Sequence, residues 1–299
     1  MLNRVLGEFG LATRNMVRAA HSQSPAGVYR VRTATGRDAY LKTTPVELGP
    51  DAVQAARREV RFYRELASGL AGRTPELLAS YDAEDGIAVL LASAGRARRP
   101  QSWSPSMWSA SGAQLALLHT TPLPPGKDWH RPDPLLRAMA EPDVEAITAC
   151  WAPVLPDLPR ILACADELVS HGSMRPAVFT HGDCHTDNIV FLGEHPAFCD
   201  WQAAVVGRAV SDLAFLSVRA TPSGVTVPPD LVTAYLHGAD GDREDLERAL
   251  IAEELAVFVF QWPYFWHLNA PTAVAHVRRR VRFLASRWLS DLHRGDRSR

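Results

Sequence analysis

Apolar and polar positions alternate early in the chain. Val28-Tyr-Arg-Val-Arg32 reads as a half-buried strand, Thr35-Gly-Arg-Asp38 supplies turn residues, and Ala39-Tyr-Leu-Lys42 resumes an extended run. The pattern predicts a β-hairpin with Lys42 at the end of its second strand. From Pro50-Asp51 the period changes to three or four, with Val53, Ala56, Val60, Tyr63, Ala67 and Leu70 on one face and a stop near Gly72. That segment predicts an amphipathic helix. Ile87 to Leu91 predicts a short buried strand, and Ser93-Ala-Gly-Arg96 a connector. The domain boundary is placed there.

Downstream the pattern is mainly helical. Ser104 and Pro105 suit an N-cap and first turn, and Trp108, Gly112, Leu115 and Leu118 run down one face towards His119. Helices are predicted over 143–151, 158–170, 211–219, 230–237, 242–268 and 272–292, and extended runs over 177–180, 189–191 and 197–199. The most apolar stretch, Leu255 to Leu268, is interrupted by Gln261 and Pro263 and falls short of the ~20 residues that span a bilayer. It predicts a buried helix and its exit. Leu2, Val5, Leu6 and Phe9 share a helix face with no continuous apolar core of an export signal, so a cytoplasmic protein is expected. Arg294 to Arg299 forms a basic, frayed tail.

Composition narrows the class. The 299 residues, 46% hydrophobic and 22% charged, are enough for two domains with a sizeable core and exclude a disordered chain. Lys and Arg total 32 against 33 Asp and Glu, so no overall basic excess draws the chain to nucleic acid or to an anionic membrane. Cys150, Cys164, Cys184 and Cys199 lack C-x-x-C spacing, which fits free thiols in a reducing compartment. Only two of the basic residues are lysines, Lys42 and Lys127. A lysine at a strand end is therefore a specific choice to examine.

The candidate chemistry lies between residues 178 and 202, in Val-Phe-Thr-His-Gly-Asp-Cys-His-Thr-Asp-Asn-Ile-Val-Phe191 and Ala197-Phe-Cys-Asp-Trp-Gln202. Ile189–Phe191 and Ala197–Cys199 flank a Gly193/Pro196 turn, as in an antiparallel hairpin. Pairing them brings Asn188 and Asp200 to one end, an amide oxygen beside a carboxylate. Such hard oxygen donors suit Mg²⁺, which takes few protein ligands and leaves room for phosphate. Asp183, on the loop entering the hairpin, is placed to act as a base at the edge of that metal.

The order His-x-Asp-x4-Asn, hairpin, Asp resembles the catalytic and metal loops of the kinase fold. In its local form, His181-Gly-Asp-Cys-His-Thr-Asp-Asn188 with Asp200-Trp-Gln202, it looks like the aminoglycoside phosphotransferase and choline kinase-like family of small-molecule kinases. Gly182 and Trp201-Gln202 point away from protein kinases, which usually carry Arg and Phe-Gly there. The resemblance implies an α+β, two-lobed protein-kinase-like fold: a β-rich N-lobe over 1–93 that binds nucleotide, and a mainly helical C-lobe over 94–299 with catalytic loop, metal hairpin and acceptor site. It implies transfer of the γ-phosphoryl group of ATP or GTP to a hydroxyl of a small molecule. Asp183 would accept the hydroxyl proton, Asn188 and Asp200 would hold Mg²⁺, and His181 would brace the loop. Asp212, in the family's Asp-Leu-Ala segment, reads as a carboxylate accepting loop amides or as a plain helix-start Asp. Lys42 would contact phosphates, and its carboxylate partner should face the sheet from the following helix. Glu59 lies beside the apolar face with Ala55, Phe62 and Leu66, whereas Glu65 shares the polar side with Arg58 and Arg61. Glu59 is the expected partner.

Several features keep two readings. His21-Ser-Gln-Ser-Pro-Ala-Gly27 sits where a phosphate-covering loop belongs but has one Gly, so Ser22 and Ser24 either meet phosphate or belong to an ordinary connecting loop. His185 extends a His-x-Asp-x-His spacing that a metal-dependent hydrolase would use with His181, Asp183 and Asp200. A nucleotide-binding pseudokinase would keep the fold without the chemistry. Phe258, Phe260, Trp262, Tyr264, Phe265, Trp266 and His267 either line an acceptor pocket or pack in the core. Finally, Asp128 to Glu254 holds 21 acidic and 8 basic residues, a net −13 that the rest of the chain cancels with +12. This stretch reads as a solvated acidic face or as attraction for a cationic acceptor such as an amino-sugar antibiotic.

Overall fold

The alternation around Val28 and Leu41 becomes an antiparallel ladder in the computed structural model. The structure describes residues 1–13, 16–18, 26–173, 175–239 and 241–296, with side chains to 291. Ser22, Ser24 and the end of the basic tail lie outside the described residues. After α1 (Leu2–Glu8), which buries Val5 and Leu6, strands β1 (Val17–Arg18), β2 (Gly27–Arg32) and β3 (Asp38–Pro45) pair in sequence. Lys42 sits within β3 between Val28 and Val89, because the strand runs on to Pro45 instead of ending at the lysine. Helix α2 (Pro50–Arg61) buries Val53, Ala56, Glu59 and Val60. A wide turn over Phe62–Leu66 then slips its face by one position, so that Phe62 and Tyr63 are both buried. Strands β4 (Leu77–Ala83) and β5 (Gly86–Ala92) complete a sheet of order β1-β2-β3-β5-β4. All of β5 is buried, which explains its continuous apolar run. β4 is absent from the sequence reading because its Leu77-Leu-Ala-Ser-Tyr-Asp-Ala83 does not alternate.

The chain divides into two units, Met1–Ala97 with Asn188–Ala204, and Arg98–Asp187 with Val205–Arg299. β6 (Arg96–Ala97) closes the first run of unit one. Unit two begins with α3 (Pro105–His119), capped by Ser104, whose hydroxyl accepts the Met107 amide at 3.2 Å. There follow α4 (Pro134–Ala140), α5 (Val144–Trp151), α6 (Leu158–Ala163), α7 (Ala165–Gly172) and β7 (Ala177–Thr180). The helix expected over 158–170 is broken at Cys164. The chain returns to unit one as β8 (Ile189–Leu192) and β9 (His195–Phe198), a hairpin with Ile189 opposite Phe198. It re-enters unit two as β10 (Val205–Arg208), paired with β7, then α8 (Ala209–Ala220), α9 (Pro229–Gly238), α10 (Arg243–Ala256) and α11 (Pro271–Asp296). α4 and β10 were not read from the sequence.

The resemblance implied a boundary at 93 with the hairpin in the helical lobe, whereas these pairings join the hairpin to the segment before residue 98. Arg96 and Ala97 form a ladder with Phe191 and Val190, and the Phe198 amide donates to the Arg73 carbonyl at 3.0 Å. Hydrogen bonds between distant segments therefore group the hairpin with the sheet-bearing unit. The core of unit two gathers Trp151, Leu168, Leu255, Phe258, Val277, Val281 and Trp288. Among the described residues, no helix is long and apolar enough to cross a membrane.

Candidate active site

The hairpin register that puts Lys42 inside β3 turns its side chain towards α2. Its Nζ lies 2.9 Å from Glu59 Oε2 and 2.7 Å from Asp200 Oδ1. The structure thus brings Lys42, Glu59 and Asp200 together in unit one. Glu59 is 2% exposed, and Gln202 Nε2 also donates to its Oε2 at 3.4 Å. Burial by itself would lower the Lys42 pKa, but the two carboxylates outweigh it and hold the ammonium above its ordinary value. Burial raises the pKa of Glu59, Lys42 opposes that shift, and Asp200 adds to it.

Asp200 is the only non-glycine residue with positive φ among the described residues, at φ 64° and ψ 66°. An L-residue pays roughly 1–2 kcal/mol for that conformation, so the neighbours must hold it. They do. Trp201 stacks on Phe62, with centroids 4.0 Å apart at 9°, and its Nε1 donates to the Phe198 carbonyl at 2.9 Å. Arg58 Nε donates to the Gln202 carbonyl at 2.7 Å. The Cys199 amide donates to the Asn188 carbonyl at 2.8 Å, which extends the hairpin by one rung and puts Asn188 and Asp200 at the same end. Their oxygens are the donor chemistry a small hard cation takes.

In unit two, β7 delivers the chain to His181-Gly-Asp183. Gly182 adopts φ 76°, a left-handed turn open to glycine without strain. With that turn, the His181 and Gly182 amides both donate to Asp212, at 2.7 Å to Oδ2 and 2.9 Å to Oδ1. The Asp183 amide donates to His181 Nδ1 at 3.3 Å. Asp212 therefore accepts loop amides from α8, and His181 lies buried within the loop. Burial would raise the Asp212 pKa; the His119 hydrogen bond and charge, with the loop amides, reverse this and hold it below its ordinary value. The Asp183 side chain is 40% exposed.

Two residues at this site went unnoticed in the sequence. His119 Nε2 lies 3.1 Å from Asp212 Oδ2, and His119 Nδ1 3.0 Å from the Tyr235 hydroxyl. The only signal was a histidine ending the apolar face of α3. Part of the acidic stretch is also internal. Glu253 pairs with Arg208, which bonds Asp133 at 2.9 Å, and Arg280 grips Glu254. Cys184 and Cys199 are not thiolates at neutral pH: burial pushes Cys184 well up, and burial with Asp200 and Glu59 pushes Cys199 to about 12. The aromatic run divides, with Phe258, Phe260 and Trp262 in the core and Tyr264 and Phe265 about half exposed. Among the described residues, no three His, Cys, Asp or Glu side chains gather as a metal-ligand set.

The model of the APH phosphotransferase enzyme family matches residues 17–249, a span that includes Lys42, Glu59, His181, Asp183, Asn188, Asp200 and Asp212. The chain belongs to the phosphotransferase enzyme family. As a member, it is a small-molecule kinase. The phosphotransferase is similar to the GDP and kanamycin complex of APH(2")-IIia, with 10% identity, a TM-score of 0.70, and 96% of this chain and 98% of that one covered. It is also similar to the amicoumacin kinase hAmiN in complex with AMP-PNP, Ca²⁺ and Ami (11%, TM-score 0.63, 95% and 93% covered). A third neighbour is the Plasmodium vivax ethanolamine kinase (13%, TM-score 0.62, 95% and 87% covered). These likenesses establish the protein-kinase-like fold, with its β-sheet part and helical part. No curated protein matches the sequence.

Proposed function

We propose that this phosphotransferase moves the γ-phosphoryl group of ATP or GTP to a hydroxyl of a small, cationic acceptor. The observation that carries the reading is Lys42, buried between Glu59 and Asp200 at 2.9 and 2.7 Å. A lysine fixed by a helix carboxylate beside a metal-binding aspartate is the nucleotide-phosphate apparatus of kinase chemistry. Unit one binds the nucleotide: Lys42 meets its phosphates, and Glu59 orients Lys42. Asn188 and Asp200 are the residues that would hold Mg²⁺, and the fit rests on their shared hairpin end and oxygen donors. When bound, the metal neutralises charge on the phosphates.

Asp183 accepts the proton of the acceptor hydroxyl. The hydroxyl oxygen forms a bond to the γ-phosphorus, the bond from that phosphorus to the nucleoside diphosphate breaks, and the diphosphate leaves. His181 and Asp212 hold Asp183 through the loop backbone. Positioning and electrostatics supply most of the rate.

The acidic excess of residues 128–254 supports a cationic acceptor, although Asp133, Asp212, Glu253 and Glu254 are occupied internally. Neighbours that bind kanamycin or act on ethanolamine are in keeping with this. The test is nucleoside diphosphate release with kanamycin, hygromycin B, ethanolamine and choline, followed by mass spectrometry of the acceptor. Transfer to at least one amine is expected, and Asp183→Asn should lower kcat by about 10²–10⁴-fold. Tight Mg-ATP binding with no transfer to any acceptor would instead mark a nucleotide-binding interaction module.

A further inference from the structure

We propose that His185 is a positioning residue for Asp183, presenting its Nε2–H to the carboxylate; this rests on Asp183 being the proton acceptor. The backbone amide of Asp187 points at His185 Nδ1 from 3.2 Å. A backbone N–H only donates, so Nδ1 offers its lone pair and the ring proton of the neutral imidazole sits on Nε2. That nitrogen lies 3.6 Å from Asp183 Oδ2.

The ring is held in this orientation. The His185 side chain is 11% exposed, and its ring meets Phe215 edge-on with centroids 6.2 Å apart. Asp187 Oδ2 stands 3.7 Å from Nδ1, where it would favour a proton on that nitrogen. Arg219 Nη2 lies 3.9 Å from the same oxygen and offsets its charge. His181 shows the same logic, its Nδ1 accepting the Asp183 amide at 3.3 Å. One imidazole thus anchors the backbone of Asp183 and the other addresses its side chain. The 3.6 Å separation shortens to a hydrogen bond in the substrate complex, as contacts of catalytic groups do. His185 then fixes the plane of the carboxylate while the other oxygen takes the hydroxyl proton. This accounts for a His-x-Asp-x-His spacing without a metal.

Two substitutions separate the ring nitrogens. His185→Gln places an amide N–H near the Nε2 position, whereas His185→Asn reaches only the Nδ1 position. Whichever of kanamycin, hygromycin B and ethanolamine is phosphorylated serves as acceptor. His185→Asn is expected to lose about 100-fold in kcat with an unchanged nucleotide KM, and His185→Gln to recover most of that loss. The reverse order, or full activity of both, overturns the proposal, because a role confined to supporting the Asp187 amide favours Asn. Asp183→Asn separates the two readings: if it keeps full kcat the base assignment fails, whereas if it is inactive and His185→Asn is not, only the His185 proposal fails. Long-range ¹H–¹⁵N NMR of histidine-labelled protein in mildly alkaline buffer needs no acceptor, with His185→Gln identifying the signal. An Nε2–H tautomer that shifts in Asp183→Asn is expected, and an Nδ1–H tautomer overturns the proposal.

Discussion

Asp200 and Asp212 show two ways of keeping an aspartate in a folded protein. Asp212 is 1% exposed on α8 and is occupied by donors: two loop amides and His119. Its depressed pKa follows from them, and its effect is to set a backbone. Asp200 has a side chain 36% exposed and a left-handed backbone, and it shares its cation with Glu59. Amide donors on a buried acid fix a frame. A shared ammonium and a strained backbone on a half-open acid are instead the features on which the proposed metal and phosphate site rests.

The comparison breaks first at Asp212. Asp212→Ala leaves the His181 and Gly182 amides and the His119 ring without their acceptor, and breaking such a buried set costs about 3–5 kcal/mol. Urea unfolding should show the unfolding free energy extrapolated to water fall by that amount, and a silent substitution would end the claim that this acid is a frame. Lys42→Met comes next. It strands Glu59 without its cation at a cost of about 3 kcal/mol, and Lys42→Met/Glu59→Leu should regain most of that stability. Nucleotide affinity, measured by calorimetry with Mg-ATP, should not return in the double variant. Wild-type affinity there would remove Lys42 from the phosphate site.

A smaller effect sharpens the contrast through packing. A Cβ on Gly112 would clash with the Leu231 carbonyl oxygen, so α3 and α9 meet there without room for a methyl group. α3 carries His119 and α9 carries Tyr235. Gly112→Ala should cost about 1–3 kcal/mol by overpacking. It should also speed hydrogen exchange at His181 and Gly182 while Mg-ATP binding in unit one stays unchanged. Loss of nucleotide binding would show that the two aspartates are not independent.

What the sequence could show was local. Glu59 was found because helical periodicity separates it from Glu65, and the hairpin because two apolar runs flank a turn. Gln202 and Trp201 were read only as departures from protein kinases, since the stack on Phe62 joins residues far apart in the chain. His119 escaped for the same reason: Asp212 and Tyr235 lie 93 and 116 residues away. Glu253 and Glu254 enter the sequence only as part of the acidic excess of Asp128 to Glu254, although Arg208 and Arg280 pair with them in the fold. The partners of the hairpin, Arg73 and Arg96-Ala97, leave no mark on its own residues, so its pairing with them is not legible in the sequence.

Titration gives the smallest expected effect and opposite signs at the two sites. Asp212 has a depressed pKa, so its contribution is complete above the ordinary aspartate range, about 3.9, and is lost as pH falls through the lower folded value. Lys42 has a raised pKa, so its contribution is complete below about 10.4 and is lost as pH rises through the higher folded value. Glu59, raised by burial, favours its protonated form and gains stability in acid, opposing Asp212. In urea melts followed across pH, Asp212→Asn should flatten the acid limb and leave the alkaline limb in place, whereas Lys42→Met should flatten the alkaline limb. An acid limb that keeps its slope in Asp212→Asn would mean that protonation of Asp212 does not set that limb, and would remove its ionised carboxylate from the frame.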